Sequence, residues 1–259
     1  QKNDIFNILS RKKSISNIED LIKRISNTYN LTKNLLTPLT NGKLKGYEKS
    51  IYGSINPLLW ELGHLINFWL EKTVKLLNYS SLELENKHLF DSHEIDRKTR
   101  FEITENNKIE SIQRLFIIYD TIVTSIIGNI LSIKIKYLKL DNITSYLINL
   151  SVLHNEMHNE SFCFSLQSLG YRKPEIKNLF SEVNNCYKYY LNNEFIKIKG
   201  GLFNQGWVDE DDNFTFDNER PSFKTLIDDF EVSKYCITQG DFIKFINIGG
   251  YKNKKYWCY

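Results

Sequence analysis

A helical hydrophobic period runs through the first 170 residues of this chain and stops at Gly170. Apolar side chains recur about every 3.6 positions in four segments, as they do on the buried face of a helix. The segments cover residues 16–36, 56–78, 109–138 and 141–170. Asn56 before Pro57 is typical of a helix start, and Gly170 is typical of a helix end. Four amphipathic helices of this length predict a four-helix bundle.

After Gly170 the pattern changes to short alternating segments separated by turns. Residues 174–191 predict a short helix. The stretch FIKIKGGLFNQGW, at 195–207, alternates like a strand and breaks at a glycine pair. Residues 223–251 then predict a strand, a turn and a short helix. The fold class expected is therefore α+β, with a helical bundle followed by a mixed domain.

These changes divide the chain into three predicted parts. They are a helical domain at 1–170, a connecting segment at 171–194 and the beginning of a mixed domain at 195–259. The only methionine is Met157, and the chain ends at KNKKYWCY, so we expect a fragment of a longer protein. In such a fragment the mixed domain is too short to bury apolar residues such as Phe230, Phe242 and Trp257.

Composition and charge argue against several classes of protein. Hydrophobic residues make up 41% of the chain and charged residues 25%, which is a globular balance. The net charge of +3 is too small to indicate nucleic acid or an anionic membrane as a partner. The longest apolar stretch, 115–133, contains Asp120 and Asn129, so it predicts a buried helix and no membrane span. Four cysteines without a CxxC motif indicate reduced thiols and a cytoplasmic protein.

Three of the five histidines are candidate metal ligands. His154 and His158, in HNEMHNE, are four residues apart, so both imidazoles lie on one helix face, one turn apart. His64 lies in an apolar stretch of the second helix, with Trp60 and Phe68 at i−4 and i+4. A bundle can bring His64 opposite the pair, although a histidine on an apolar face also fits a purely structural role. Three imidazoles with open positions suit catalytic Zn, Fe, Ni or Cu.

Two carboxylates and two more histidines have weaker signals. Glu61 and Glu160 stand near the ligands in sequence, where a carboxylate can orient an imidazole. The alternative is that both are exposed helix charges. His88 and His93 fall in the polar segment 79–105, which predicts a long loop, and we interpret them as ordinary loop residues.

Two sets of motifs together resemble one enzyme family. NPLLWELGHLINFWLE and HNEMHNE resemble the DinB-like bundle of the ergothioneine-type sulfoxide synthases, a family that includes the ovothiol and selenoneine enzymes. FDNERP at 216–221 and GGY at 249–251 resemble the opening of a formylglycine-generating-enzyme-like (sulfatase-modifying-factor) domain. That domain, which is C-type-lectin-like, follows the bundle in the same family. The resemblance covers the chain from about Asn56 to its end.

The resemblance implies a mononuclear non-haem iron(II) oxidoreductase. Such an enzyme uses O2 to join the sulfur of a thiol, or the selenium of a selenol, to an imidazole carbon of a histidine derivative, leaving a sulfoxide. His64, His154 and His158 correspond to the iron ligands of the family. Arg100 and Arg97, which follow Asp-Ser in LFDSHEIDRKTRF, would hold the carboxylate of the thiol substrate, because a guanidinium fork matches a carboxylate.

The chain departs from the family pattern at Phe101, where the family has tryptophan after the arginine. The catalytic tyrosine of the family is expected beyond Tyr259, so no catalytic residue is assigned, and we expect metal binding without turnover. The resemblance does not select the sulfur or selenium donor, which is cysteine, γ-glutamylcysteine or a selenosugar, although HNEMHNES and LQSLGY favour the selenoneine branch. It also leaves open whether C2 or C5 of the imidazole is attacked, whether the histidine is methylated first, and which oligomeric state the protein has. The alternatives are a DinB-like divalent-metal thiol transferase and a catalytically incomplete binding module.

Overall fold

The computed structural model describes six stretches of the chain. They are residues 18–51, 55–79, 81–137, 140–171, 194–207 and 214–258. The first part is helical and the last part contains the strands, so the predicted α+β class is confirmed. The chain divides into two compact units, Gln1–Ser181 with Asp209–Phe216, and Glu182–Val208 with Asp217–Tyr259. The short helix predicted at 174–191 lies outside the described residues.

Four long helices form the first unit, close to where the hydrophobic period predicts them. The helices of this unit are α1 (Ile18–Leu35), α2 (Thr37–Thr40), α3 (Leu58–Trp69), α4 (Arg97–Glu105), α5 (Ile112–Tyr137) and α6 (Asn142–Ser168). Helix α3 continues into a π-helical turn at Leu70–Val74. Helix α1 packs against α5 and α6, and α3 packs against the same two helices. The large side chains at the centre are fully buried, among them Trp60, Trp69, Tyr119, Phe90 and Phe162.

The C-terminal end of α6 follows its sequence signal, whereas the start of α3 does not. The Asp141 carboxylate accepts a hydrogen bond from the Thr144 amide at 2.9 Å, which caps α6. At the other end, Gly170 has a φ of +71°, and the amide of Tyr171 donates to the Leu166 carbonyl at 2.9 Å. The expected Asn56 cap on α3 is wrong, because the N-cap position is Pro57 and the helix has no side-chain cap there.

The segment 79–105 is not the plain loop that its polarity predicts. It contains a 3₁₀ turn at Lys87–Phe90, followed by α4. The Asp96 side chain caps α4 by accepting a hydrogen bond from the Thr99 amide at 3.0 Å. Phe101 and Ile103 are each 6% exposed. Helix α4 is too short for its apolar period to show in the sequence, so its burial decides its structure.

Helix α5 is the one helix of the described residues that is long and apolar enough to cross a membrane, by length and composition alone. One face of this helix packs into the bundle. The buried side chains on that face include Leu115, Ile118, Ile122, Ile126 and Ile130. A core helix of a bundle has this same combination of length and hydropathy.

The second unit contains two antiparallel pairs of strands and a short helix. Its elements are β1 (Phe195–Ile198), β2 (Gly201–Gln205), β3 (Phe223–Ile227), β4 (Phe230–Ser233) and α7 (Gln239–Asn247). Strand β1 pairs with β4 and β2 pairs with β3, both antiparallel and in one continuous register. The ladder is interrupted at Gly200, where a Cβ would lie 2.2 Å from the Ile227 carbonyl oxygen. The predicted break at the glycine pair is therefore confirmed.

The apolar side chains of the second unit remain exposed. Phe230 is 47% exposed, Phe242 46% and Trp257 39%, as the sequence led us to expect. Among the described residues of this unit, no large hydrophobic side chain is buried. The hydrophobic core of the described chain is therefore that of the helical bundle.

Candidate metal centre

Three histidines from two helices meet inside the bundle. His64 lies on α3, and His154 and His158 lie on α6. One ring nitrogen from each histidine lies within 4.8 Å of the other two, and the Nε2 atoms of His154 and His158 are 3.3 Å apart. Nitrogens that bind one ion at about 2.0–2.1 Å lie roughly 3 Å from one another. The fold thus brings together the three residues that the sequence singles out.

The backbone of the 3₁₀ turn orients His64. The His64 Nδ1 atom lies 2.7 Å from the carbonyl oxygen of Phe90. Because a carbonyl only accepts, Nδ1 carries the proton and the Nε2 lone pair is left for a ligand. The Trp60 ring stacks on this imidazole, with ring centroids 5.3 Å apart, and the Trp60 Nε1–H donates to the Leu89 carbonyl at 2.7 Å.

Gly63 allows this turn to approach α3. A Cβ at Gly63 would lie 2.0 Å from Cε1 of Phe90, whose ring is fully buried. Any side chain at position 63 therefore pushes Phe90 away, together with the carbonyl that orients His64. Sequence reasoning did not find Phe90, and the only signal was the glycine that directly precedes His64.

A buried carboxylate orients His158. The His158 Nδ1 atom lies 2.8 Å from Oε1 of Glu61, whose side chain is 1% exposed. The carboxylate accepts a hydrogen bond from Nδ1–H, so His158 also presents the Nε2 lone pair. The Oε2 atom of Glu61 is buried and has no hydrogen-bond partner among the described residues.

His154 packs against an aromatic ring, and its Nδ1 atom has no hydrogen-bond partner among the described residues. Its imidazole stacks on Phe68, with ring centroids 3.7 Å apart. Burial, together with the neighbouring His158 and His64, lowers the pKa of His154 to about 2. Burial also lowers the pKa of His64. Both imidazoles are therefore neutral at ordinary pH, which is the form that binds a metal.

The arrangement fits a divalent cation. One ring nitrogen from each of three imidazoles converges, and the Glu61 carboxylate is buried with one hydrogen bond among the described residues. A buried carboxylate is costly unless positive charge lies nearby. A cation between the histidines would supply that charge and would give the ring nitrogens a partner. The imidazole set suits Fe, Zn, Ni and Cu, so the ligands fit iron(II) without selecting it.

Glu160, the other predicted carboxylate, makes no described contact with the three histidines. It is exposed, whereas Glu61 is fully buried. The reason is angular, because two residues along an α-helix turn a side chain about 200° away from His158. The prediction of Glu160 as an orienting residue is therefore wrong, and Glu61 is the carboxylate that contacts a ligand.

Arg100 lies one aromatic ring away from the histidines. Its guanidinium sits over the Trp60 ring, 4.2 Å from the centroid, and Trp60 stacks on His64. The guanidinium is held by hydrogen bonds to the Ile95 carbonyl at 2.9 Å and to Oδ1 of Asn56 at 3.0 Å. A third bond, at 2.9 Å, goes to the Ser92 carbonyl. The proposed carboxylate-binding role of Arg100 stays a prediction.

The other predicted residues of this segment lie at the surface. Arg97 is exposed and donates from Nε to the Ile55 carbonyl at 2.8 Å, so it ties the start of α4 to the chain before α3. His88 and His93 are both exposed and are not part of the three-histidine group. His88 lies in the 3₁₀ turn and not in a plain loop, whereas His93 lies beyond that turn.

The C-terminal part of the chain matches a known domain family. Residues 181–258 match the sulfatase-modifying factor enzyme 1-like domain. The match confirms the predicted formylglycine-generating-enzyme-like part of the chain, and this domain takes its name from an enzyme. No curated protein was found to match the chain. The DinB-like assignment of the bundle stays a prediction.

The Glu61 contact predicts a large effect on metal affinity. In Glu61→Gln the side chain keeps its shape but loses its charge, so it no longer compensates a cation. We expect Co(II) or Fe(II) to bind about 10–100-fold more weakly, as for other partners of metal-bound histidines. Competition with a chromophoric chelator measures the affinity, and Glu160→Gln is the matched control. Equal affinities in the two variants would contradict the assigned role of Glu61.

Proposed function

We propose that His64, His154 and His158 hold one iron(II) ion, and that the protein serves O2-dependent bond formation between a thiol or selenol and a histidine derivative. The observation that carries this proposal is the convergence of three imidazoles beside a buried carboxylate. The sulfatase-modifying factor domain after the bundle supports it, because the two occur in this order in the sulfoxide synthases that the sequence resembles. When bound, a ferrous ion would supply redox chemistry with O2.

The residues of the chain prepare this site in three ways. Phe90 and Glu61 hold the protons on Nδ1 of His64 and His158, so both Nε2 atoms stay available as ligands. Trp60 and Phe68 cover the faces of two imidazoles and exclude water from them. Three ligands from two helices would leave further positions on a bound ion open for the sulfur of a thiol, which is typical of a catalytic site.

Arg100 is suited to the carboxylate of the thiol substrate. Three of its five N–H groups are used by the bonds to Ile95, Asn56 and Ser92, so its orientation is fixed. Its stacking on Trp60 places its charge beside the aromatic wall of His64. A fixed guanidinium with remaining donors matches a carboxylate better than a mobile lysine does.

Replacing Arg100 tests this role separately from metal binding. We expect Arg100→Ala to weaken the binding of cysteine to the Co(II)-loaded protein roughly 10–100-fold, the usual value of a hydrogen bond to a charged group. The metal content should not change. Cysteamine, which lacks the carboxylate, serves as the control ligand and should bind both proteins equally. The absorption band of thiolate bound to Co(II) reports each titration, and an equal loss for both thiols would contradict the prediction.

Metal analysis tests the proposal as a whole. After anaerobic loading we expect one Fe(II) per chain, with a change in its spectrum when cysteine or γ-glutamylcysteine is added. Mass spectrometry after exposure to O2 and a histidine derivative then tests the expectation of metal binding without turnover, so Fe(II) and thiol binding decide on the iron site. Preference for zinc or nickel with O2-independent thiol transfer would favour the thiol transferase, and a chain that binds no metal would favour a binding module.

A further inference from the structure

We infer that Asn155 and Asn159 are positioning residues of the metal centre, which set the rotation of α6 about its axis. Each asparagine directly follows a ligand, His154 or His158. The inference deepens the proposed function and rests on it in one respect, since it requires the three histidines to be the ligands. No part of it depends on which reaction the centre performs.

Asn155 makes hydrogen bonds to three other helices. It is fully buried. Its Oδ1 atom accepts from Nε1 of Trp69, on α3, at 3.0 Å, and also from the hydroxyl of Tyr119, on α5. Its Nδ2 atom donates to Oγ1 of Thr32, on α1, at 3.0 Å. One side chain of α6 is thereby joined to all three of the other long helices.

Asn159 extends the same network by one turn. It is 2% exposed, and its Oδ1 atom accepts from Oγ1 of Thr32 at 2.7 Å. Its Nδ2 atom donates to the hydroxyl of Thr28 at 3.0 Å and to the Thr28 carbonyl at 3.1 Å. The Thr32 hydroxyl thus links the two amides, so the bonds around Asn155 and Asn159 form a single network.

Such a network fixes a rotation more strictly than apolar packing does. Apolar side chains tolerate a small rotation of a helix, whereas a buried amide that loses its partner costs about 1–3 kcal/mol. An imidazole nitrogen lies roughly 6 Å from the helix axis, so a rotation of about 20° moves it by about 2 Å. Metal–ligand distances tolerate only about 0.2 Å. The amides therefore hold the direction in which His154 and His158 point.

The network also joins the two helices that carry the ligands by a hydrogen bond. Trp69 lies on α3, the helix of His64, and it donates to Asn155 on α6. The same bond therefore limits how far α3 and α6 can slide past each other. The sequence signal is a second i, i+4 pair inside HNEMHNE, formed by the asparagines, which we did not assign a role from the sequence alone.

The experiment compares three leucine variants of buried asparagines on α6. Asn155→Leu and Asn159→Leu remove the network, and Asn149→Leu is the matched control. Asn149 is 3% exposed and is bonded to Arg24 and to the Ser145 carbonyl, more than one turn before the ligands. Urea unfolding of the metal-free chain gives stability, and Co(II) titration gives affinity and the d–d spectrum.

We expect Asn155→Leu and Asn159→Leu to bind Co(II) at least about tenfold more weakly than the unsubstituted chain, with altered d–d bands. Asn149→Leu should lose comparable stability while keeping the affinity and the spectrum. Should either network variant fail to fold, Thr32→Val decides the question. It is nearly isosteric and lies on α1, which carries no ligand, and it should also weaken Co(II) binding and alter the spectrum.

Two results would overturn the inference and are distinguishable from failure of the proposed function. The first is an affinity loss that follows the stability loss across all variants, Asn149→Leu included. The second is an unchanged d–d spectrum in the network variants and in Thr32→Val. Failure of the unsubstituted chain to bind Co(II) or Fe(II) would instead overturn the metal centre itself, and the positioning role with it.

Discussion

Replacing His154 with phenylalanine should abolish metal binding at stoichiometric concentrations. Phenylalanine preserves the volume and the stacking on Phe68 but supplies no nitrogen. Loss of one of three ligands should weaken Fe(II) or Co(II) binding by more than about 100-fold, beyond the effect of losing an orienting partner. Chelator competition under anaerobic conditions measures this change. The exposed His88 provides the control, since His88→Phe should leave the affinity unchanged.

The same variant should make the metal-free chain more stable. Nδ1 of His154 is buried and has no hydrogen-bond partner among the described residues. An unsatisfied buried polar atom costs about 1–3 kcal/mol, more than the single long Nε2–Nε2 contact with His158 at 3.3 Å contributes, so replacement by an apolar ring should raise the free energy of unfolding. Urea denaturation measures this free energy. Metal binding retained within a few-fold, or a clear loss of stability, would show that His154 has a structural role.

Gly63→Ala should disrupt the metal centre from outside the ligand set. The new Cβ lies 2.0 Å from the buried ring of Phe90, whose carbonyl orients His64. Overpacking of this kind costs about 1–3 kcal/mol, which offsets the helix propensity that alanine adds. We expect the affinity for Co(II) to fall about 10–100-fold, because His64 loses the acceptor of its Nδ1 proton. Thermal unfolding and Co(II) titration measure the two effects.

Two further variants make this prediction specific. Gly128→Ala, on α5, is the control, because a Cβ there meets nothing within 4 Å. It should stabilise the helix by up to about 1 kcal/mol and leave the metal affinity unchanged. Combining Gly63→Ala with Phe90→Leu removes Cε1 and Cζ, two of the three overlapping ring atoms, and should restore part of the stability. If Gly63→Ala behaves like Gly128→Ala, the close approach of Phe90 does not matter for the site.

Local patterns in the sequence were sufficient to predict where the long helices lie. The 3.6-residue period predicted the four long helices, because each of them buries one continuous apolar face. The spacing of His154 and His158 placed both on one side of α6 for the same reason. The glycine pair correctly predicted the break between β1 and β2, since the backbone at Gly200 leaves no room for a Cβ.

Elements held by distant contacts were not predictable in this way. Helix α4 looked like loop, since its nine residues carry too short an apolar pattern, and its burial comes from packing on other segments. Asn56 looked like a helix cap, yet its side chain accepts from Arg100, 44 residues away. In both cases the sequence near the element does not contain the partner that decides its structure.

By itself, the sequence determined which residues can bind a metal and on which helix face each of them lies. Only the tertiary structure decided that His64 meets His154 and His158, that Glu61 and not Glu160 orients a ligand, and that the Phe90 carbonyl reaches His64. The physical reason is that helical periodicity relates residues within one element. The relation between α3 and α6 depends instead on side-chain packing and buried hydrogen bonds, such as that from Trp69 to Asn155, which join residues far apart in the chain.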